Sequence, residues 1–275
     1  MARHCVGEFN GGVLARPYSP KEACEQAYGI PADPGLLAEL RKPQYRKDLV
    51  ANNIAIAKKA IAASVSREIF IIQAINALEE LDRICNSLSK RAREWYGYYF
   101  PESTRIEDNE IFIRNIVQKD KPQLMKEFDL EESMGPDIES EDLKEIIGFA
   151  RQAESLFSER DALKSYIEKT MQQVFPNTTA VAGSLIGAKL LERAGSLRHL
   201  SMMPSSTIQL LGAEKALFRH LRNKSIRPPK HGIILNHPSV LDAKNKGKAA
   251  RQLASKISIA SKVDYFKGEF IGDKL

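Results

Sequence analysis

Between Ile54 and Trp95 the apolar positions fall at Ile54, Ala57, Ile61, Val65, Ile69, Ile72, Ile75, Leu78, Leu81, Cys85, Leu88, Ala92 and Trp95, each step being three or four residues. That period keeps one stripe on one side of a helix and predicts a single long amphipathic helix with near-heptad spacing. Gly97 and Pro101 mark its end. A second helical block is expected from Glu107 to about Met134, closed by the turn Ser133-Met134-Gly135-Pro136. A third runs from Ser140 to Val174, with Ser140 as its cap. Its seam positions are Leu143, Ile146, Ala150, Ala153, Phe157, Arg160, Lys164, Ile167, Met171 and Val174, eight of the ten apolar, which predicts a coiled-coil-like hairpin with the preceding block. Spacing leaves open whether such a seam closes within one chain or between two.

The residues on either side follow other patterns. Cys5 to Phe9 and Val13 to Ala15 flank Asn10-Gly11-Gly12, a hairpin signal. Pro17, Pro20, Gly29, Pro31, Pro34 and Gly35 then interrupt any period, so this front reads as a small irregular module that docks on something. After Pro176, residues 178–194 are rich in alanine and glycine, which lets helices approach closely. A helix from about Ser206 to Arg222 and a basic one from Ser239 to about Lys262 follow. The expected fold is mainly α: a small α/β N-terminal module over residues 1–50, long helices over 51–174 with a coiled-coil hairpin over about 105–174, and an all-helical C-terminal domain over 175–275.

Composition adds limits. No apolar run approaches the ~20 residues that cross a bilayer, the N-terminus lacks a secretory apolar stretch, and Cys5, Cys24 and Cys85 form no CxxC pair. The chain therefore reads as intracellular, with packed or free thiols and no membrane partner.

Charge changes the picture more. Between Gly212 and Lys262 twelve Lys or Arg stand against Glu214 and Asp242, a local net of +10 in a chain of net +6. Residues 102–161 hold seventeen acids and eight bases. The basic tract reads as the footprint of a polyanion, most simply nucleic acid, and the acidic hairpin as a region kept apart from it. On one helix Lys215, Arg219 and Arg222 share a face at i, i+4 and i+7. Arg227-Pro228-Pro229-Lys230-His231-Gly232 is a proline-stiffened loop, and Lys244, Lys248 and Arg251 line the helix that follows. Aromatic residues are sparse here, Phe218, Tyr265 and Phe266, so recognition of a folded RNA by backbone and shape fits better than base reading.

Other motifs carry less. Gly183-Ser184-Leu185-Ile186-Gly187-Ala188-Lys189 has the wrong spacing for a phosphate loop and reads as helix packing. His4, His199, His220, His231 and His237 form neither a metal set nor a nucleophile constellation, so neither catalytic nor metal-binding residues are expected.

The stretch from Ala180 to Gly232 contains Ala194-Gly195-Ser196-Leu197, Ile208-Gln209, the run Gly212-Ala213-Glu214-Lys215-Ala216-Leu217-Phe218 and Pro229-Lys230-His231-Gly232. It resembles the Nop domain of the box C/D ribonucleoprotein core proteins, in the shorter form of the archaeal members. Arg93-Glu94-Trp95-Tyr96-Gly97 and Ser133-Met134-Gly135 resemble that family's central helical region. The spliceosomal relative is a weaker match. The resemblance implies a scaffold rather than an enzyme. Its front module would hold a fibrillarin-type methyltransferase, and S-adenosylmethionine would belong to that partner, with no cofactor on this chain. Its Nop domain would bind a kink-turn box C/D guide RNA carrying a small core protein, for guided 2′-O-methylation of rRNA or tRNA. Its coiled coil would pair two copies, and an archaeal setting places it in the cytoplasm. On this reading the RNA contacts are Lys215, Arg219, Arg222, Lys224, Lys230, His231, Lys248 and Arg251, the motif is Gly212, Ala213, Glu214 and Lys215, and the homodimer seam includes Ile146, Ala150, Phe157 and Ile167. The alternative is a coiled-coil structural protein whose basic end binds nucleic acid without specificity.

Overall fold

The computed structural model describes residues 2–4, 7–10, 13–19 and 43–275. They fall into two compact units, Met1–Ser66 and Arg67–Leu275. The division lies later than the expected boundary at residue 50, and the long helices share the second unit with the C-terminal ones.

In the first unit, strands β1 (Ala2–His4), β2 (Gly7–Asn10) and β3 (Val13–Pro17) form an antiparallel meander. Asn10 pairs with Val13, as the hairpin signal predicts, and the register shifts between Glu8 and Phe9. Gly11 and Gly12 of that turn, with Cys5 and Cys24, lie outside the described residues. Helix α1 (Arg46–Ser64) buries Asn52, whose amide donates to the Tyr18 carbonyl at 3.3 Å.

The long helix expected from Ile54 to Trp95 is two helices. Val65 is extended after α1, and the Ser64 hydroxyl donates back to the Ile61 carbonyl at 2.7 Å. β-Branched Val65 between two serines is a weak point in any helix, because serine competes for backbone partners. Helix α2 (Arg67–Tyr96) buries Ile71, Ala74, Ile75, Leu78, Cys85, Ser89, Ala92 and Tyr96. The predicted stripe holds at Ile75, Leu78, Cys85 and Ala92 and is rotated at both ends, leaving Ile69 38% and Trp95 41% exposed. Burial pushes the Cys85 thiol above its ordinary pKa, as befits a packed side chain.

The block from Glu107 to Met134 also divides. Helix α3 (Asn109–Gln118) is capped by Asp108, which accepts the N–H groups of Glu110 and Ile111, both at 2.9 Å. Helix α4 (Lys121–Glu127) starts with a capping box between Asp120 and Gln123. Helix α5 (Ser140–Val174) has the expected bounds, but Glu139 holds the cap position and Ser140 makes no capping bond.

The α5 seam is closed within the chain. It packs chiefly on α2 and also on α3, rather than on the preceding block alone. Ile146, Ala150, Phe157 and Ile167 are 3%, 0%, 4% and 0% exposed, so these positions, which the family resemblance assigned to a homodimer seam, are covered within the chain. Tyr96, Phe100, Phe112, Ile113, Ile116 and Leu124 join Ile146 to Phe157 in one core. A second core joins Ile71, Ile75 and Leu78 to Ile167, Met171, Ala188 and Leu191. Arg160, a charged seam position, donates to Glu110 and to Asp161 and lies over the Phe157 ring at 4.9 Å. Burial opposes its charge, but the bonds to Asp161 and Glu110 outweigh that and raise its pKa further.

The remaining helices are α6 (Pro176–Ala182), α7 (Ser184–Ala194), α8 (Leu197–Met202), α9 (Ser205–Leu210), α10 (Glu214–Arg222), α11 (Pro238–Leu241) and α12 (Lys246–Tyr265). Their core is built from Val181, Leu190, Leu200, Ile208, Ile234, Val240, Ala250, Ala254 and Ile257. The small-residue stretch packs as expected: a Cβ at Gly187 would come within 2.8 Å of the Met171 Cε. The Asp264 carboxylate ties α12 to the start of α6, accepting the Asn177 N–H at 3.0 Å, its side-chain amide at 2.9 Å and the Thr178 N–H at 2.8 Å. Among the described residues no single helix is long and apolar enough to cross a membrane.

Candidate nucleic-acid interface

Both basic helices are interrupted where the sequence reading had them continuous. Leu211, Gly212 and Ala213 separate α9 from α10, and residues 242–245 separate α11 from α12, which leaves Lys244 ahead of its helix. The first break is set by glycine. Gly212 sits at φ +85°, and a Cβ there would stand 2.6 Å from Ile233 Cγ1. The Glu214 carboxylate accepts the Gly212 N–H at 2.6 Å, so the acid of this motif orders its own turn. Ala213 is the N-cap residue of α10, and Lys215 lies exposed on the first turn.

Two backbone hydrogen bonds fasten the base of this arm. The Gly232 N–H donates to the Gln209 carbonyl at 2.9 Å and the Ile233 N–H to the Leu211 carbonyl at 2.8 Å. A Cβ at residue 232 would collide with the Leu211 carbonyl, so only glycine allows the crossing. Between these points the chain runs out through α10 and back through the proline loop. No residue of α10 is buried. Lys215, Arg219 and Arg222 are exposed on one face, and Lys224 is exposed just beyond the helix. Phe218 and Leu221 are 59% and 53% exposed, an apolar surface beside the cations. The His220 ring Nδ1 is bonded to the Ile226 carbonyl and folds the tip of the arm back.

The other predicted cations meet elsewhere. Lys230, Lys248 and Arg251 line a groove together with Gln209, Pro229, Asn245 and Gly247. The Gln209 amide donates to the Lys230 carbonyl at 2.7 Å, and Asn245 caps α12 by accepting the Lys248 N–H at 3.1 Å. His231 is half-buried beside Gly232 and does not line this groove. Thus seven of the eight predicted contacts divide into an arm set and a groove set, and His231 belongs to neither. Asn245 and Gly247 were not singled out from the sequence and Gln209 stood there only within the family motif, although Asn245 before Lys246-Gly247-Lys248 is a readable cap. Among the described residues none of the seven cations of the two sets takes part in an ion pair, whereas Lys119, Lys189 and Arg114 pair with Glu127, Glu79 and Glu110. Nearby His237 accepts the Ser239 N–H at 3.2 Å, and burial lowers its pKa. Among the described residues no group of three His, Cys, Asp or Glu is placed to hold a metal ion.

An unpaired cationic arm and groove at one end of a helical scaffold define a polyanion-binding protein. Comparison with known proteins makes that class specific: residues 77–275 match the family model of Nop, described as snoRNA binding domain, fibrillarin, and the chain belongs to the Nop family. It is 39% identical over 252 residues to a NOP5 family protein of Methanocaldococcus jannaschii, covering 84% of this chain and 60% of that protein. It is 40% identical over 219 residues to human nucleolar protein 56, covering 71% of this chain and 37% of the relative. Nucleolar protein 58 of Schizosaccharomyces pombe is 42% identical over 214 residues, with 70% and 42% covered. The chain thus spans less than two thirds of the length of these relatives. A chain of a crystal structure of a fibrillarin/Nop5p complex superposes with a TM-score of 0.49 at 25% identity, covering 98% of this chain and 92% of that one.

Proposed function

We propose that this chain is a non-enzymatic scaffold of a box C/D guide ribonucleoprotein. On this reading it joins a fibrillarin-type methyltransferase to a kink-turn RNA carrying its small core protein, and the particle methylates ribose 2′-hydroxyls of rRNA or tRNA. Nop56/58-type proteins are structural components of ribonucleoproteins and not enzymes, which supports the scaffold role. The observation that carries the reading is that the family match over residues 77–275 contains both unpaired cationic surfaces, each built around the motif glycines Gly212 and Gly232. The exposed Phe218 and Leu221 beside Lys215 and Arg219 suit a surface made jointly by RNA and protein. S-adenosylmethionine belongs to the methyltransferase in this scheme. A homodimer, which the family resemblance implies, would in this scheme use a surface other than the covered seam residues.

Competition binding tests the proposal. A kink-turn RNA bound by its core protein should displace duplex DNA of equal length from this chain. If six or so phosphates are neutralised, affinity should fall on the order of a thousandfold between ~50 and ~200 mM salt. Equal competition by DNA would instead make the chain a structural protein with a non-specific basic end, and a flat salt profile would remove the electrostatic argument.

A further inference from the structure

We propose that the groove between the Pro229–Lys230 loop and α12 is a phosphate seat holding one phosphodiester of the bound RNA, with a role distinct from that of the α10 arm; the RNA as its source rests on the function proposed above. Seven residues line the groove, three cationic, two amide-bearing, and none acidic. Like charges gathered without a counter-charge repel one another, and an anion between them relieves that repulsion.

The groove is also held in shape before any ligand arrives. Gln209 ties the loop wall to α9, its side-chain amide donating to the Lys230 carbonyl while its backbone carbonyl accepts the Gly232 N–H. Pro228 and Pro229 fix the backbone of the loop. The Lys230 stem lies against Gly247, where a Cβ would stand 3.6 Å from the Lys230 Cδ. A loop backbone held this way need not be ordered when the exposed cations form charge-assisted bonds to phosphate oxygens. The arm cations stand on a helix that buries nothing, which suits attraction at a distance rather than a fixed contact.

The test uses the full chain, isotopically labelled, titrated with inorganic phosphate at constant ionic strength maintained with chloride. The Gly247 amide signal should move saturably with phosphate, should stay still in Lys230→Ala/Arg251→Ala, and should move normally in Lys215→Ala/Arg222→Ala. The groove double variant should bind RNA on the order of tenfold more weakly, with a salt slope smaller by about one, as expected for one phosphate. Equal movement of Gly247 with chloride, or an undiminished RNA affinity in the groove variant, overturns the seat while leaving RNA binding by the chain intact. Saturable phosphate binding by a chain that binds no RNA overturns the RNA as the source and assigns the groove to a free phosphate.

Discussion

Gly232→Ala tests the crossing at which the arm is fastened. The new Cβ would collide with the Leu211 carbonyl and lie 2.9 Å from the Leu210 oxygen. These obstacles are backbone atoms, so no change of side-chain rotamer relieves them. The two segments must part, which breaks the bonds from Gly232 to Gln209 and from Ile233 to Leu211, 2.9 and 2.8 Å long. At about 0.5–1.5 kcal/mol for each hydrogen bond, plus about 1 kcal/mol for disturbed packing of half-buried Ile233, the loss is about 2–4 kcal/mol. A domain with about 5–15 kcal/mol of stability still folds, with a Tm lower by roughly 5–15 °C. Thermal unfolding followed by circular dichroism measures the first effect. RNA affinity measures the second, and it should fall although no cation has been altered, because the arm and the groove lose their common anchor. Gly148→Ala is the matched control: a Cβ there meets nothing within 4 Å inside α5, so it should stabilise by about 0.5–1 kcal/mol. A Gly232→Ala protein with the wild-type midpoint and wild-type RNA affinity would refute the close crossing.

Two further predictions concern the helical hairpin. Phe157→Ala, which empties a 4% exposed core position, should cost about 3–5 kcal/mol at every protein concentration; a midpoint that climbs with concentration would show that the seam lies between chains after all. Glu102→Gln should cost about 1.5–3 kcal/mol at neutral pH, since the buried carboxylate accepts the Met134 N–H at 2.7 Å and the Ser133 hydroxyl at 2.9 Å. Burial alone would raise the pKa of Glu102, but these bonds and the Lys121 charge outweigh it and hold the carboxyl below its ordinary value. Its contribution is therefore complete above the ordinary carboxylate range and is lost as the pH falls through the depressed folded value, so urea midpoints of the two proteins should converge on acidification; a gap independent of pH would contradict this origin.

What the sequence made legible was periodic. The bounds of α5 and the burial of Ile146, Ala150, Ala153, Phe157, Ile167 and Met171 follow from one three-and-four pattern. The same pattern misled where a short local conflict overrode it, as at Val65, where serine and a β-branched residue end a helix that the stripe continues across. It was also silent about partners: the seam identifies an apolar face, and only the placement of α2 shows that this face is covered inside the chain. In the basic tract the residue types were readable because charge survives any fold. The division into arm and groove was not, since it depends on Gly212 at positive φ and on a crossing between residues 209–211 and 232–233, a long-range contact with no periodic trace. The bonding role of Gln209 was hidden for the same reason.

The acidic hairpin and the basic end acquire a joint meaning from the length of α5. Its 35 residues span about 50 Å at 1.5 Å per residue. That is several times the Debye length of about 8 Å at physiological ionic strength. Acids near Ser140 therefore cannot neutralise cations in the helices that follow Val174, however many they are. Near the acidic end, Glu102 and Lys121 fix the loop 133–137, with Lys121 donating to the Gly135 carbonyl at 2.9 Å and pairing with Asp137 at 3.5 Å. The absence of ion pairs at Lys215, Arg219, Arg222, Lys230, Lys248 and Arg251 among the described residues is then a consequence of the architecture. Acids midway along this spacer, Glu110 and Asp161, are taken up by Arg114 and Arg160, and the cations of the arm and groove are left for a polyanion supplied from outside.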